Sequence, residues 1–109
     1  MTVELPKPIA DYFAADAAQD ADTLARCFTE TAEVIDEGKT HRGKAAIRDW
    51  KADTSTTYRY TVEPFAMATQ GERIAVTSHV KGDFPGSPLD LRYFFTLDGD
   101  RIAGLEIIP

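Results

Sequence analysis

Cysteine is nearly absent from this chain. The single one, Cys27, excludes an internal disulfide and a metal site built on several thiolates. It is expected to pack as a small core residue. Histidine is scarce as well: His41 and His79 stand 38 positions apart. No ligand-spaced carboxylate cluster accompanies them, so neither a metal nor another cofactor is expected. There is no glycine-rich phosphate loop, no nucleophile elbow and no dinucleotide fingerprint. No apolar run approaches the ~20 residues of a membrane span. The first residues, "MTVELPKPIADYF", lack the basic start and long apolar stretch of a secretory leader. The expected compartment is therefore the cytoplasm, without membrane attachment. A surplus of basic residues is missing too. Twelve Lys and Arg face 18 Asp and Glu, giving a net charge of −6, which argues against a nucleic-acid partner.

What is present suits one globular domain of 109 residues, with 43% hydrophobic and 28% charged side chains. Residues 1 to 5 read as a loose tail. Pro6 and Pro8 suit the start of a helix, along which Ile9, Tyr12, Phe13, Asp16 and Ala17 recur at helical spacing. A second helix starts at Asp20 or Asp22, either of which can cap it, with Leu24, Cys27 and Phe28 as its apolar stripe. A short strand is expected at 32 to 36, then a loop holding Gly38 and Gly43. A third helix runs from about Lys44 to Ala52. Beyond it the texture changes to aromatic and β-branched residues, with strands expected at 57–69, 73–84, 89–97 and 101–108. Helices followed by antiparallel strands make an α+β fold, the helices covering one face of the sheet.

Two stretches carry candidate chemistry. In "AEVID", period-two alternation puts Asp36 on the side of Ala32 and Val34. Either Asp36 merely opens a turn, or a carboxylate stands where the core points. In "LDLRYFFTL", Leu89, Leu91, Tyr93, Phe95 and Leu97 share the inward face, while Arg92, Phe94 and Thr96 face out. The strand before it is ambiguous. Hydrophobicity favours Ile74, Val76, Ser78 and Val80 as its inner face; the opposite set is Ala75, Thr77, His79 and Lys81.

The order and spacing of "IADYFAADAAQDADTLARCF", "TAEVID", "HRGKAAIRDW" and "YFFTLDGDRIAGLEI" resemble the nuclear transport factor 2-like superfamily, in particular its SnoaL-like branch and the ketosteroid isomerases. The resemblance spans nearly the whole chain. It implies a cone-shaped, cystatin-like roll: three N-terminal helices packed on a curved, mainly antiparallel sheet, with a pocket at the open end. Carried over by position, the isomerase base falls on Asp36 and the first-helix hydrogen-bond donor on Tyr12. The second donor, an acid in the isomerases, falls on Tyr93. The same alignment turns His79 toward the pocket as a possible acid or base. Trp50, with Phe13, Leu91 and Phe95, then forms the apolar lining. The isomerase tyrosine beside Trp50 is Lys51 here, and the proline after the base is Glu37. Epoxide hydrolases of this fold need an arginine and two aspartates on strands; Asp90 and Arg92 occur in the opposite order, and Glu106 replaces an aspartate.

The resemblance implies two readings. One is an isomerase or cyclase acting on a small apolar or aromatic carbonyl compound through an enolate. The other is a binding or dimerisation module that has kept the pocket without the chemistry. It also implies a homodimer through the outer face of the sheet.

Overall fold

The computed structural model describes residues 3–109. Positions 1 and 2 of the expected tail lie outside the described residues. Helix α1 (Lys7–Ala17) opens with Pro6 at its cap and Pro8 in its first turn, where a missing N–H costs nothing. It buries Ile9, Tyr12, Phe13 and Asp16 on one stripe. Helix α2 (Ala21–Arg26) is capped by Asp20, whose carboxylate accepts from the backbone N–H of Thr23 at 3.1 Å and from its hydroxyl at 2.6 Å. These bonds hold the Asp20 carboxyl below its ordinary range.

The first strand is longer than alternation alone predicts. β1 spans Phe28–Asp36, so Phe28 belongs to a strand and not to the α2 stripe. Asp36 pairs with Lys39 across a two-residue turn into β2 (Lys39–Arg42), a strand where a loop was expected. Both central turn residues, Glu37 and Gly38, have positive φ, at 53° and 75°, the conformation that matches the twist of a tight hairpin. Helix α3 (Lys44–Thr57) also runs past its expected end. The hydroxyls of Thr54, Thr56 and Thr57 bond back to the carbonyls of Trp50 and Asp53, so the helix reaches Thr57, where a strand was expected to begin.

Four further strands follow: β3 (Tyr60–Gln70), β4 (Arg73–Gly82), β5 (Leu89–Asp98) and β6 (Arg101–Ile108). The sheet has six strands in the order β2-β1-β6-β5-β4-β3, where five had been expected. β1 and β6 pair in parallel and every other neighbouring pair is antiparallel. The helices lie on one face, and their apolar stripes meet Val34, Val76, Tyr93, Phe95, Leu105 and Ile107 in a single core. Among the described residues no helix is long and apolar enough to cross a membrane.

Candidate functional site

Because cross-strand partners share a face, the register lays out the inner surface in rows. One row runs Asp36, Ile107, Tyr93, Val76 from β1 to β4. Asp36 and Tyr93 are two strand spacings apart in it, roughly 10 Å between backbones. Asp36 therefore ends its strand at a turn and also faces inward. Its Oδ2 accepts from Trp50 Nε1 at 3.0 Å. Trp50 comes from α3 and is buried, and the ring of His41 on β2 lies 5.9 Å from it.

Helix α1 presents Tyr12 and Phe13 to the next part of the surface. Tyr12 meets Phe28, Tyr93 and Phe95, and Phe13 meets Tyr93 and Phe95, all edge-on at 5.1–6.4 Å between ring centres. The Tyr12 hydroxyl is fully enclosed and has no hydrogen-bond partner. Burial, then the charge of Asp16, raises its pKa well above that of an ordinary phenol. Burial likewise raises Tyr93, helped by the charges of Asp16 and Asp36. Both hydroxyls thus stay protonated donors through the neutral range. Leu91 is half-buried and packs against the same cluster.

A polar group lies one helical turn deeper. Asp16 and Lys51 form a buried ion pair at 2.9 Å, their side chains 4% and 5% exposed. The Tyr60 hydroxyl donates to Asp16 at 2.8 Å and accepts from Lys51 at 3.2 Å. Burial and the Asp16 charge raise the pKa of Tyr60. The Lys51 ammonium also stands 4.4 Å from the centre of the Trp50 ring.

His79 takes no part in this arrangement. β4 turns Val76, Ser78 and Val80 inward, as hydrophobicity alone suggested, and the expectation that His79 faces the pocket is corrected. His79 lies on the outer face with its side chain 49% exposed, hydrogen-bonded through Nδ1 to Asp90 at 2.9 Å. Two buried valines, with half-buried Ile74 on the same face, outweigh one titratable residue in setting which face turns in.

The known family that matches this chain is the SnoaL-like domain, over residues 9–105. The chain belongs to that family. Among solved structures, a provisionally assigned polyketide cyclase from Sinorhizobium meliloti shares 40% identity with this SnoaL-like domain over 95% of both chains, with a TM-score of 0.90. A cystatin-fold protein from Novosphingobium aromaticivorans shares 23% identity over 94% of this chain and 95% of its own, with a TM-score of 0.77. A protein of ketosteroid isomerase-like fold from Catenulispora acidiphila, solved in complex with trimethylamine, shares 18% identity over 97% of this chain and 87% of its own, with a TM-score of 0.85. The last two establish the fold alone, which is α+β, cystatin-like and nuclear transport factor 2-like. No curated protein matches the chain.

The SnoaL-like domain has concavities elsewhere as well. One of about 490 Å³ lies between α1, α2 and the β5–β6 turn, and one of about 250 Å³ lies on the outer sheet face. Neither is lined by Tyr12, Asp36, Trp50 or Tyr93. Tyr12, Phe13, Tyr93 and Phe95 pack ring against ring on the inner face, so a ligand seated among them has to displace ring contacts. Among the described residues no group of three or more His, Cys, Asp or Glu side chains is placed to hold a metal.

The residues that sequence reading missed are Asp16, Lys51, Tyr60 and Ser78. Two of them carried a signal. Asp16 stands four residues after Tyr12 on the apolar stripe of α1, and Lys51 stands four after Ile47 on that of α3. Opposite charges on two core-facing stripes imply that the stripes meet. Ser78 is fully buried with its hydroxyl unpaired.

Proposed function

We propose that this SnoaL-like domain is an isomerase or cyclase of small apolar or aromatic carbonyl compounds. The observation that carries the reading is the inward Asp36 carboxylate, with one oxygen held by Trp50 at 3.0 Å and set in the same row as Tyr93. In the proposed reaction Asp36 removes a proton from the carbon beside a carbonyl. The C–H electron pair becomes a C=C bond, and the carbonyl pair moves onto oxygen. The unpartnered Tyr12 hydroxyl, with Tyr93, donates to that oxygen as it becomes negative. When the substrate carries a β,γ double bond the product is a dienolate, and return of the proton to its γ carbon completes an isomerisation. Attack of the enolate carbon on a second carbonyl of the same molecule, followed by protonation of the resulting alkoxide, completes a cyclisation. The name of the relative from Sinorhizobium meliloti, 40% identical over 95% of the chain, supports the second course.

The alternative is a small-molecule-binding module without turnover. The close-packed aromatic rings favour it, since a ligand could simply replace ring-to-ring contacts. The test begins with a screen of carbonyl compounds for thermal stabilisation, followed by assays of turnover. Asp36→Asn keeps the shape and removes the base, so binding should persist while turnover falls by at least about a hundredfold. An Asn variant as fast as the parent removes Asp36 from the reaction. Compounds that bind but are never turned over replace the enzyme reading with the binding module.

A further inference from the structure

Neighbouring residues on a helix point in different directions, yet the Lys51 side chain folds back over the ring of Trp50. Three contacts fix it there: Asp16 Oδ1 at 2.9 Å, the Tyr60 hydroxyl at 3.2 Å and the indole face at 4.4 Å. The ammonium is thus buried, bonded and in register with the one aromatic ring whose N–H holds Asp36. A cation over an indole draws π-electron density toward itself. The edge of the ring becomes more positive, and the Nε1–H, which lies in that edge, becomes a stronger donor.

We propose that Lys51 is a positioning residue for Asp36 and acts through Trp50. Asp16 and Tyr60 anchor the ammonium, the ammonium polarises and pins the indole, and the indole N–H fixes one carboxylate oxygen so that the other points toward the cone. The charged and titratable groups around this relay are Tyr12 and Asp16 on α1, Lys51 on α3, Tyr60 on β3, Tyr93 on β5 and His41 on β2. Lys39 stands opposite Asp36 in the hairpin register. The inference deepens the reading of Asp36 as the base, but its first readout does not depend on that reading.

Trp50 is the only tryptophan in the chain, so its indole N–H gives one isolated signal in a proton–nitrogen correlation spectrum. Spectra of all variants are recorded at one pH, about 8, above the ordinary histidine range. Asp36→Ala sets the limit of an indole with no carboxylate partner. Lys51→Met alone strands the buried Asp16 charge and can unfold the chain. The Asp16→Asn, Lys51→Met double variant removes both charges and serves as the working test. The expected result is an indole signal moved upfield toward that of Asp36→Ala, with N–H exchange about fivefold faster than in the parent. Lys51→Arg, whose planar cation also stacks on indole, should restore both. A folded double variant with the parent's indole shift and exchange overturns the proposal, and so does an arginine variant that restores neither. If the indole responds as expected but Asp36→Asn leaves turnover intact, the base assignment fails and the relay stands.

Discussion

A buried hydroxyl with no partner is a cost that folding alone does not explain. The Tyr12 hydroxyl is enclosed by Phe13, Phe28, Tyr93 and Phe95 and bonds to none of them. Tyr12→Phe removes the orphan and keeps the ring. It should raise stability in urea unfolding by about 1 kcal/mol while weakening ligand binding and turnover. A destabilised phenylalanine variant would show that the hydroxyl has a partner after all. Alternation was enough to read Tyr93 and Phe95 as inward, because a strand has only two faces; it put Asp36 on the side of Val34 but left open whether it only began a turn. The Asp16–Lys51 pair was harder to read. Each charge alone looks like an interruption of its apolar stripe, and only the packing of α1 against α3 and β3 makes them neutral together. His79 was misplaced because a family pattern was set against the alternating apolar face of Ile74, Val76 and Val80, and burial area decides such conflicts.

At the level of elements, the β1–β2 hairpin sets the position of Asp36. Its turn places Glu37 at a φ of 53°, a left-handed conformation that costs an ordinary side chain about 1 kcal/mol or more. Asparagine tolerates it well, and Asn-Gly is the preferred pair for this turn. Glu37→Asn should therefore raise stability by about 0.5 kcal/mol, read as a higher melting temperature, with the Trp50 indole signal unchanged. A lower melting temperature would mean that Glu37 makes a contact the turn geometry does not reveal. The hairpin escaped sequence reading because "KTHR" has neither apolar alternation nor β-branched density. It is an edge strand with three of its four residues exposed, and such strands leave little hydrophobic pattern. The end of α3 was misjudged for the reverse reason. Thr57 was read as the first residue of a strand, but its hydroxyl found the Asp53 carbonyl one turn back.

At the scale of the whole molecule, the buried phenols govern behaviour in alkali. The tyrosines of an unfolded chain ionise near about pH 10, whereas Tyr12, Tyr60 and Tyr93 are all raised in the folded state. Above pH ~10 the unfolded chain therefore binds fewer protons than the folded one, and stability falls as pH rises. The stabilisation is fully present below that value and is lost toward the raised folded values. Tyr12 and Tyr93 alone give a slope of about 2.7 kcal/mol per pH unit. In a Tyr58→Phe variant, which keeps these three as its only tyrosines, circular dichroism and phenolate absorbance should change in one cooperative step. Phenolate formation near pH ~10 with the fold intact would contradict the burial. On the outer face, Phe94 lies under the Arg73 guanidinium at 4.5 Å, and Arg73 pairs with Glu106 at 3.0 Å. We expect this face to mate with itself in a two-fold dimer burying roughly 1,000 Å² or more. Sedimentation as a 12.0 kDa monomer at micromolar concentration would refute that. The position of β6 has one more consequence. Among the described residues it is the only strand joining the β2-β1 pair to the β5-β4-β3 meander. Without residues 101–108 the sheet is two fragments, Asp36 on one and Tyr93 on the other. The site is thus complete only when β6 is in place. A chain ending at Asp98, mixed with a peptide of residues 101–109, forms a split pair whose reassembly can be followed by the environment of its one tryptophan.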